Sequence, residues 1–229
     1  NLNIVELGPG DGSMMKILLK TFKKFPEFDL SKKVHLYEKS KFLIRKQKIV
    51  LKEYKVKWIS NFNNIKDGPV IFIGNEFFDA IPIKQFKRKD NYFLEKFYYL
   101  KKNYQILEKY KKASQQDVKL IKSFKCLKKL RFIELPKDGL LEITKIIKKI
   151  SKLNGCLLMI DYGYNFPNNQ NTLQSVMKHK KNNYLENLGK ADITSHVNFT
   201  LLKEFLIQNN LKVKKILLLL EFLLKTIEI

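Results

Sequence analysis

Short runs of consecutive apolar residues alternate along the chain with stretches whose apolar positions recur at helical spacing. Asn3-Ile4-Val5-Glu6-Leu7 predicts a buried strand, and Gly8-Pro9-Gly10-Asp11-Gly12 a turn. Ser13 is placed to cap a helix carrying Met14, Ile17, Leu18, Phe22 and Phe25 near one face. Residues 34–38 predict a second strand. Ser40 then caps a helix through Phe42, Leu43, Ile49 and Val50. Strands are also predicted at 56–59, 70–73 and 156–160. After Asp138-Gly139 comes a helix with Leu140, Ile143, Ile146, Ile147 and Ile150 as its buried stripe, ended by Asn154-Gly155. Continuously apolar strands separated by helices predict an α/β fold, a mostly parallel sheet covered by helices on both faces.

Residues 86–130 break this alternation. They read as an insertion after the fourth strand, over the carboxyl-terminal edge of the sheet. It comprises a hairpin over 92–107 and a helix bearing Val118, Ile121, Phe124, Leu127 and Leu130. Residues 165–171 form a polar loop, expected to be mobile. The length of 229 residues fits one domain, 1–229, containing that insertion. The chain opens on Asn1 inside a strand-like pattern and stops as abruptly at Ile229, so a fragment trimmed at one or both ends is expected.

Composition changes the picture in two ways. Lysine and arginine outnumber acidic residues 45 to 22, a net charge of +23. Such charge fits an anionic partner, but the lysines are spread along the whole chain among Ile, Asn and Phe. That spread favours compositional drift over a specific nucleic-acid site. Cys126 and Cys156 are the two cysteines, which excludes a disulfide scaffold and points to a reducing compartment. Three histidines without a Cys/His spacing motif argue against a zinc site. The longest apolar run, 216–224, is interrupted by Glu221 and is too short to span a membrane.

The chemistry concentrates at predicted strand ends. Gly8, Gly10 and Gly12 let backbone approach a ligand closely, and the following helix offers unpaired N–H groups. A dinucleotide fingerprint would need its third glycine at position 13, which is serine. Glu6 just before the glycines would repel a pyrophosphate but suits the sulfonium and amino groups of S-adenosylmethionine. Glu38 ends the second strand, where a carboxylate can accept ribose hydroxyls. Asn61, beside Ser60 and Phe62, is placed to meet an adenine or to form a plain loop.

The fourth strand leads into Gly74-Asn75-Glu76-Phe77-Phe78-Asp79-Ala80-Ile81-Pro82. Glu76 and Asp79, three apart, would share a face of one helical turn, and such a pair can hold a guanidinium by bidentate hydrogen bonds. Phe78 reads better as core. Asp161 either faces the site or caps the Tyr162-Gly163 turn. His179 and His196 read as structural rather than ligating, and Asp192 and Thr194 as turn and cap residues.

Glu6 to Gly12, residues 75–82, Asp161-Tyr162-Gly163-Tyr164 and residues 192–199 together resemble the MidA-type S-adenosylmethionine-dependent methyltransferases, a family that includes mitochondrial complex I assembly factors. The likeness covers nearly the whole chain, and the Asn75-to-Ala80 block is highly specific. The resemblance implies a Rossmann-like class I methyltransferase fold with S-adenosyl-L-methionine as cofactor and no metal. It implies a protein arginine acceptor, such as one on a respiratory complex I subunit, and a bacterial cytoplasmic or mitochondrial matrix location. Glu76 and Asp79 would then be catalytic. Glu6, Gly8, Gly10, Gly12, Glu38, Asn61 and Asn75 would bind cofactor. Family members carry a helical segment before the first strand, and two positions depart from the pattern. Asp11 stands where Arg is common and Gln174 where Arg is usual, which bears on substrate contacts more than on the cofactor. Methylation of a small molecule or nucleic acid, and a non-catalytic assembly factor that keeps the fold, are the competing readings.

Overall fold

A computed structural model describes residues 1–178, 180–214 and 216–217. His179 and residues 218–224 of the apolar run near the C-terminus therefore lie outside the described residues. The chain runs β1 (Leu2–Leu7), α1 (Ser13–Phe22), α2 (Pro26–Ser31), β2 (Lys32–Tyr37), α3 (Lys41–Val50), β3 (Val56–Ile59) and β4 (Val70–Asn75). It continues through β5 (Lys84–Lys89), β6 (Tyr92–Leu100), β7 (Ile106–Lys112), α4 (Gln115–Ser123), β8 (Phe132–Leu135), α5 (Lys137–Leu153) and β9 (Cys156–Ile160). Last come β10 (Gly163–Tyr164), β11 (Gln174–Met177), β12 (Lys180–Asn182), β13 (Asp192–Thr194), β14 (Val197–Asn198) and α6 (Phe199–Gln208). Two compact units emerge: Asn1–Phe77 with Glu142–Asp161, and Phe78–Leu141 with the described residues from Tyr162 on.

The first unit holds a parallel sheet in the order β3-β2-β1-β4-β9. The chain steps outward from β1 to β3, then returns to lay β4 on the other side of β1. The strand order thus reverses between β1 and β4, and ligands of open α/β sheets bind outside the carboxyl ends of strands at such a switch point. Alternate residues of each strand face opposite sides. Ile4, Val34 and Leu36 pack with Met15 and Leu19 of α1 and with Leu51. On the other side the Tyr37 hydroxyl donates to Glu142 Oε2 of α5 at 3.1 Å. Helices therefore cover both faces, as the strand pattern predicts. Ile143, Ile146, Ile147 and Ile150 of α5 are all buried. Asn154 adopts a left-handed φ of 54°, and the Gly155 N–H closes α5 on the Ile150 carbonyl at 3.1 Å.

The second unit is built on an antiparallel sheet, β7-β6-β5-β8. Its core gathers Phe86, Phe93, Ile121, Phe124, Leu127, Ile133 and Leu135. The segment read as an insertion, 86–130, lies within this unit. The expected hairpin is present, but its second strand continues to Lys112. β5 and β8, dense in charge or short, have no apolar run to announce them. The loop at 165–171 is bonded to the second unit's sheet at two of its asparagines. Asn169 Oδ1 accepts the N–H groups of Arg131 and Phe132 at 2.6 and 3.1 Å, and Asn171 Oδ1 accepts from Gln85.

Several local expectations need correction. Ser13 does not cap α1: Gly12 holds that position at φ 91°, and the Asp11 carboxylate accepts the Ser13 N–H at 2.9 Å. α1 buries Met15 and Leu19 and leaves Ile17 67% exposed. Phe25 is not on α1 at all, because Pro26 begins a new helix and forces the preceding residue out of helical geometry. Ser40 does cap α3, accepting the Leu43 N–H at 3.3 Å, but the buried residue of α3 is Gln47, while Phe42 and Ile49 face water. Asp192 and Thr194 belong to strand β13, and Asn198 caps α6 through a 3.0 Å bond from the Leu201 N–H.

Candidate cofactor site

The first unit carries the residues singled out for ligand chemistry, apart from Asp79. Gly8, Gly10 and Gly12 all have left-handed φ, at 61°, 55° and 91°, a run that a side-chain-bearing residue could adopt only with strain. A Cβ at Gly8 would lie 2.7 Å from the Phe77 ring, so this glycine lets β4's outgoing chain pack against the turn. A Cβ at Gly10 would meet nothing within 4 Å. The turn therefore arches over its own support and presents exposed backbone at Gly10.

Beneath it lies Glu6, 2% exposed. Its Oε2 has no hydrogen-bond partner among the described residues. Burial, and then the neighbouring Asp11 charge, push its pKa up from 4.5 to about 7. Asp11 itself is held below its ordinary value by the Ser13 N–H. A buried carboxylate with a vacant acceptor under a glycine turn is the environment a cationic group would relieve.

Glu38 follows β2 directly. Its Oε1 accepts the N–H groups of Lys39 and Ser40, both at 2.8 Å, which fixes the carboxylate at the start of α3. Its Oε2 accepts from Gln47 Nε2 at 3.3 Å. Gln47 escapes sequence reading because a glutamine among lysines on a helix resembles a solvated position. A Gln nine residues after the strand-end carboxylate was the available signal. A second group beside β2 went unread as well: Glu142 accepts from Tyr37, Lys39 and Lys145 at 3.1, 2.8 and 3.1 Å, contacts that hold it below its ordinary pKa despite burial.

Asn61 lies exposed beyond the end of β3, with its Oδ1 accepting the Asn63 N–H at 2.9 Å. Its neighbour Phe62 is buried, packed between the Tyr37 ring (tilted, centroids 4.7 Å apart) and the Phe72 ring (edge-on, 5.1 Å). Phe62 is thus core and not a ring offered to a ligand. Asn75 ends β4, level with Ile160 of β9. Glu6, Glu38, Asn61 and Asn75 thus share the carboxyl-terminal edge of one parallel sheet.

Glu76 and Asp79 do not lie on a helical turn. Glu76 is exposed with φ 50°, its N–H donating to the Ile160 carbonyl at 2.9 Å, and this left-handed residue breaks any helical continuation. Asp79 is buried in the second unit, where its carbonyl accepts the Ser195 N–H at 2.9 Å. Phe78 is buried, in keeping with a core role.

The late motifs sit in the second unit from Tyr162 on. Gly163 pairs with Val197, and a Cβ there would fall 2.2 Å from the Val197 carbonyl. His196 is exposed, and its N–H donates to Thr172 Oγ1. A cavity of about 440 Å³ lies among Thr172, Gln174, Ser175, Asn182, Tyr184 and His196.

Comparison with known proteins places this geometry in context. Residues 1–217 match a family model described as "Putative S-adenosyl-L-methionine-dependent methyltransferase". The mitochondrial protein arginine methyltransferase NDUFAF7 homolog of Caenorhabditis elegans is 31% identical over 219 residues, covering 86% of this chain and 51% of its own. The human protein arginine methyltransferase NDUFAF7 is 24% identical over 227 residues, covering 87% and 50%. The chain spans about half the length of the curated relatives it matches. A Burkholderia thailandensis protein solved bound to S-adenosyl-homocysteine superposes with a TM-score of 0.72 at 18% identity, over 91% of this chain and 56% of that one. At that identity the likeness is one of fold.

Proposed function

The chain belongs to this family of S-adenosyl-L-methionine-dependent methyltransferases, and on that premise we propose that it binds S-adenosyl-L-methionine at the glycine turn and methylates an arginine of a protein. One observation carries the cofactor reading: the buried Glu6 carboxylate, with its vacant Oε2, under a turn whose Gly10 is open to a ligand. When bound, the cofactor supplies a methyl group activated on a sulfonium. Glu6 supplies a negative charge to its cationic end. Glu38 Oε2 accepts from ribose hydroxyls, and Gly10 lets backbone N–H groups approach. Asn61 and Asn75 contribute polar atoms along the same edge.

The acceptor reading rests on the relatives' names, which call them protein arginine methyltransferases. A guanidinium stays protonated at neutral pH, so carboxylates that orient it suit the task. We assign that role to Glu76 of the first unit and Asp79 of the second, each taken singly. The relatives are named as mitochondrial, which favours a protein of the respiratory apparatus as acceptor. Among the described residues no helix is long and apolar enough to cross a membrane.

The test is calorimetric titration with S-adenosyl-L-methionine, alongside radiolabelled methyl transfer onto extract from a strain lacking the protein. Micromolar-range binding and label on protein arginine are expected. Gly10→Val should abolish binding, since it adds a branched side chain at φ 55° where the ligand must approach. Undiminished binding by folded Gly10→Val protein overturns the site, and binding with no label on any protein leaves an assembly factor without turnover.

A further inference from the structure

Gln47 is wholly buried, at 0% exposure, on a helix otherwise rich in lysine. All three of its side-chain hydrogen bonds run to different elements. Nε2 donates to the Gly10 carbonyl at 2.7 Å and to Glu38 Oε2 at 3.3 Å. Oε1 accepts from Trp58 Nε1 of β3 at 2.9 Å. Only one orientation of the amide serves this set. An indole N–H can only donate, and a carbonyl and a carboxylate can only accept. A flipped amide would set oxygen against oxygen twice. A buried amide is tolerated only when it is so satisfied, and its desolvation is therefore tied to these three partners.

Two of the three partners are ends of the proposed site. Gly10 is the open glycine of the turn, and Glu38 is the strand-end carboxylate. α3 also packs closely on the turn, since a Cβ at Gly12 would sit 3.4 Å from Gln47 Cγ. We infer that Gln47 is a positioning residue that holds the Gly10 carbonyl and the Glu38 carboxylate in one fixed geometry, with Trp58 as the reference that orients its amide. Gln47 Nε2 pulls the Gly10 carbonyl inward, which across the trans peptide turns the Asp11 N–H outward. The same nitrogen steadies the Glu38 oxygen left over after Lys39 and Ser40 take Oε1. The inference rests on the proposed assignment of Gly10 and Glu38 to the cofactor site.

The chain contains a single tryptophan, so its fluorescence reports this network directly. Gln47→Met keeps the length and helix preference of the side chain and removes all three bonds. In the full chain it should shift Trp58 emission to shorter wavelength and weaken S-adenosyl-L-methionine binding at least ten-fold by calorimetry. A purely structural residue would change the melting temperature but leave the affinity of the folded protein intact. Affinity within two-fold of the parent, in folded Gln47→Met protein whose emission has shifted, overturns the inference. Should Gln47→Met fail to fold, Trp58→Phe removes the reference donor while keeping an aromatic ring at that position. It should still weaken binding about three-fold, and unchanged affinity there overturns the inference too. Glu38→Gln separates the two readings. Weakened binding in Glu38→Gln with normal binding in Gln47→Met sinks the positioning role alone. Normal binding in both Glu38→Gln and Gly10→Val sinks the proposed site itself.

Discussion

Glu6 makes the cofactor reading depend on pH in a calculable way. Its pKa is pushed from 4.5 to about 7 by burial and by Asp11, a displacement equivalent to about 3 kcal/mol of disfavoured charge. For a carboxyl whose folded value is raised, the folded state binds the extra proton between those two values. Stability therefore falls as pH rises from 4.5 towards 7 and stays lower above it. A cationic ligand at Oε2 stabilises the ionised form and reverses this. Binding below pH 7 must then expel the Glu6 proton, and affinity should fall by up to ten-fold per pH unit. Between pH 7.5 and 5.5 the loss comes to roughly 20-fold. Titration calorimetry in two buffers of different ionisation enthalpy measures both quantities. Close to one proton should be released per S-adenosyl-L-methionine bound at pH 5.5, and only a minor fraction at pH 7.5. Glu6→Gln should bind weakly with no such pH dependence. It should also melt at a higher temperature than the parent above pH 7, where the buried charge is otherwise present. A parent affinity that is flat from pH 5.5 to 7.5, with no proton released, would refute the placement of a cation against Glu6.

Glu76→Gln and Asp79→Asn should each slow single-turnover methylation of an arginine-bearing protein by on the order of 100-fold, with cofactor affinity unchanged in calorimetry; full activity in both variants removes the guanidinium role. Gly155→Ala would set a Cβ 2.3 Å from the Val70 carbonyl, where β9 lies against β4. The forced separation should cost about 1–3 kcal/mol, read as a lowered thermal midpoint, and an unchanged midpoint would show that the strands can part at no cost.

The parallel sheet and its glycine turn were legible because most of the buried positions in β1 and β2 are apolar, Ile4, Val5, Leu7, Val34 and Leu36 among them. The stripe of α5 was legible for the same reason, its isoleucines recurring strictly at helical spacing. α1 was harder, since Met14, Met15, Ile17, Leu18 and Leu19 nearly surround the helix and periodicity cannot pick a face. Its cap differs from the serine that the sequence suggests because Gly12, in left-handed geometry, takes that position. The second unit's sheet stayed hidden because β5, Lys-Gln-Phe-Lys-Arg-Lys, buries only Gln85 and Phe86. At the site, residues whose chemistry is unusual for their position stood out, as Glu6 does within an apolar strand. Gln47 did not, because its burial depends on α3 lying against the turn, a tertiary fact with no local trace. The helical turn assigned to Glu76 and Asp79 failed on one backbone angle, the positive φ of Glu76.

The pairing of Gly163 with Val197 separates two kinds of sequence signature. Val197 also donates its N–H to the Tyr162 carbonyl at 2.8 Å, and any Cβ at position 163 would collide with that neighbouring strand and with the Phe199 ring. The Asp-Tyr-Gly-Tyr and His-Val-Asn-Phe blocks are thus two halves of one joint, bound to each other by steric fit. That steric demand at position 163 is independent of any ligand or reaction. Matching these blocks therefore reports on how neighbouring strands fit together, whereas Glu6 and Gln47 bear on the proposed cofactor site.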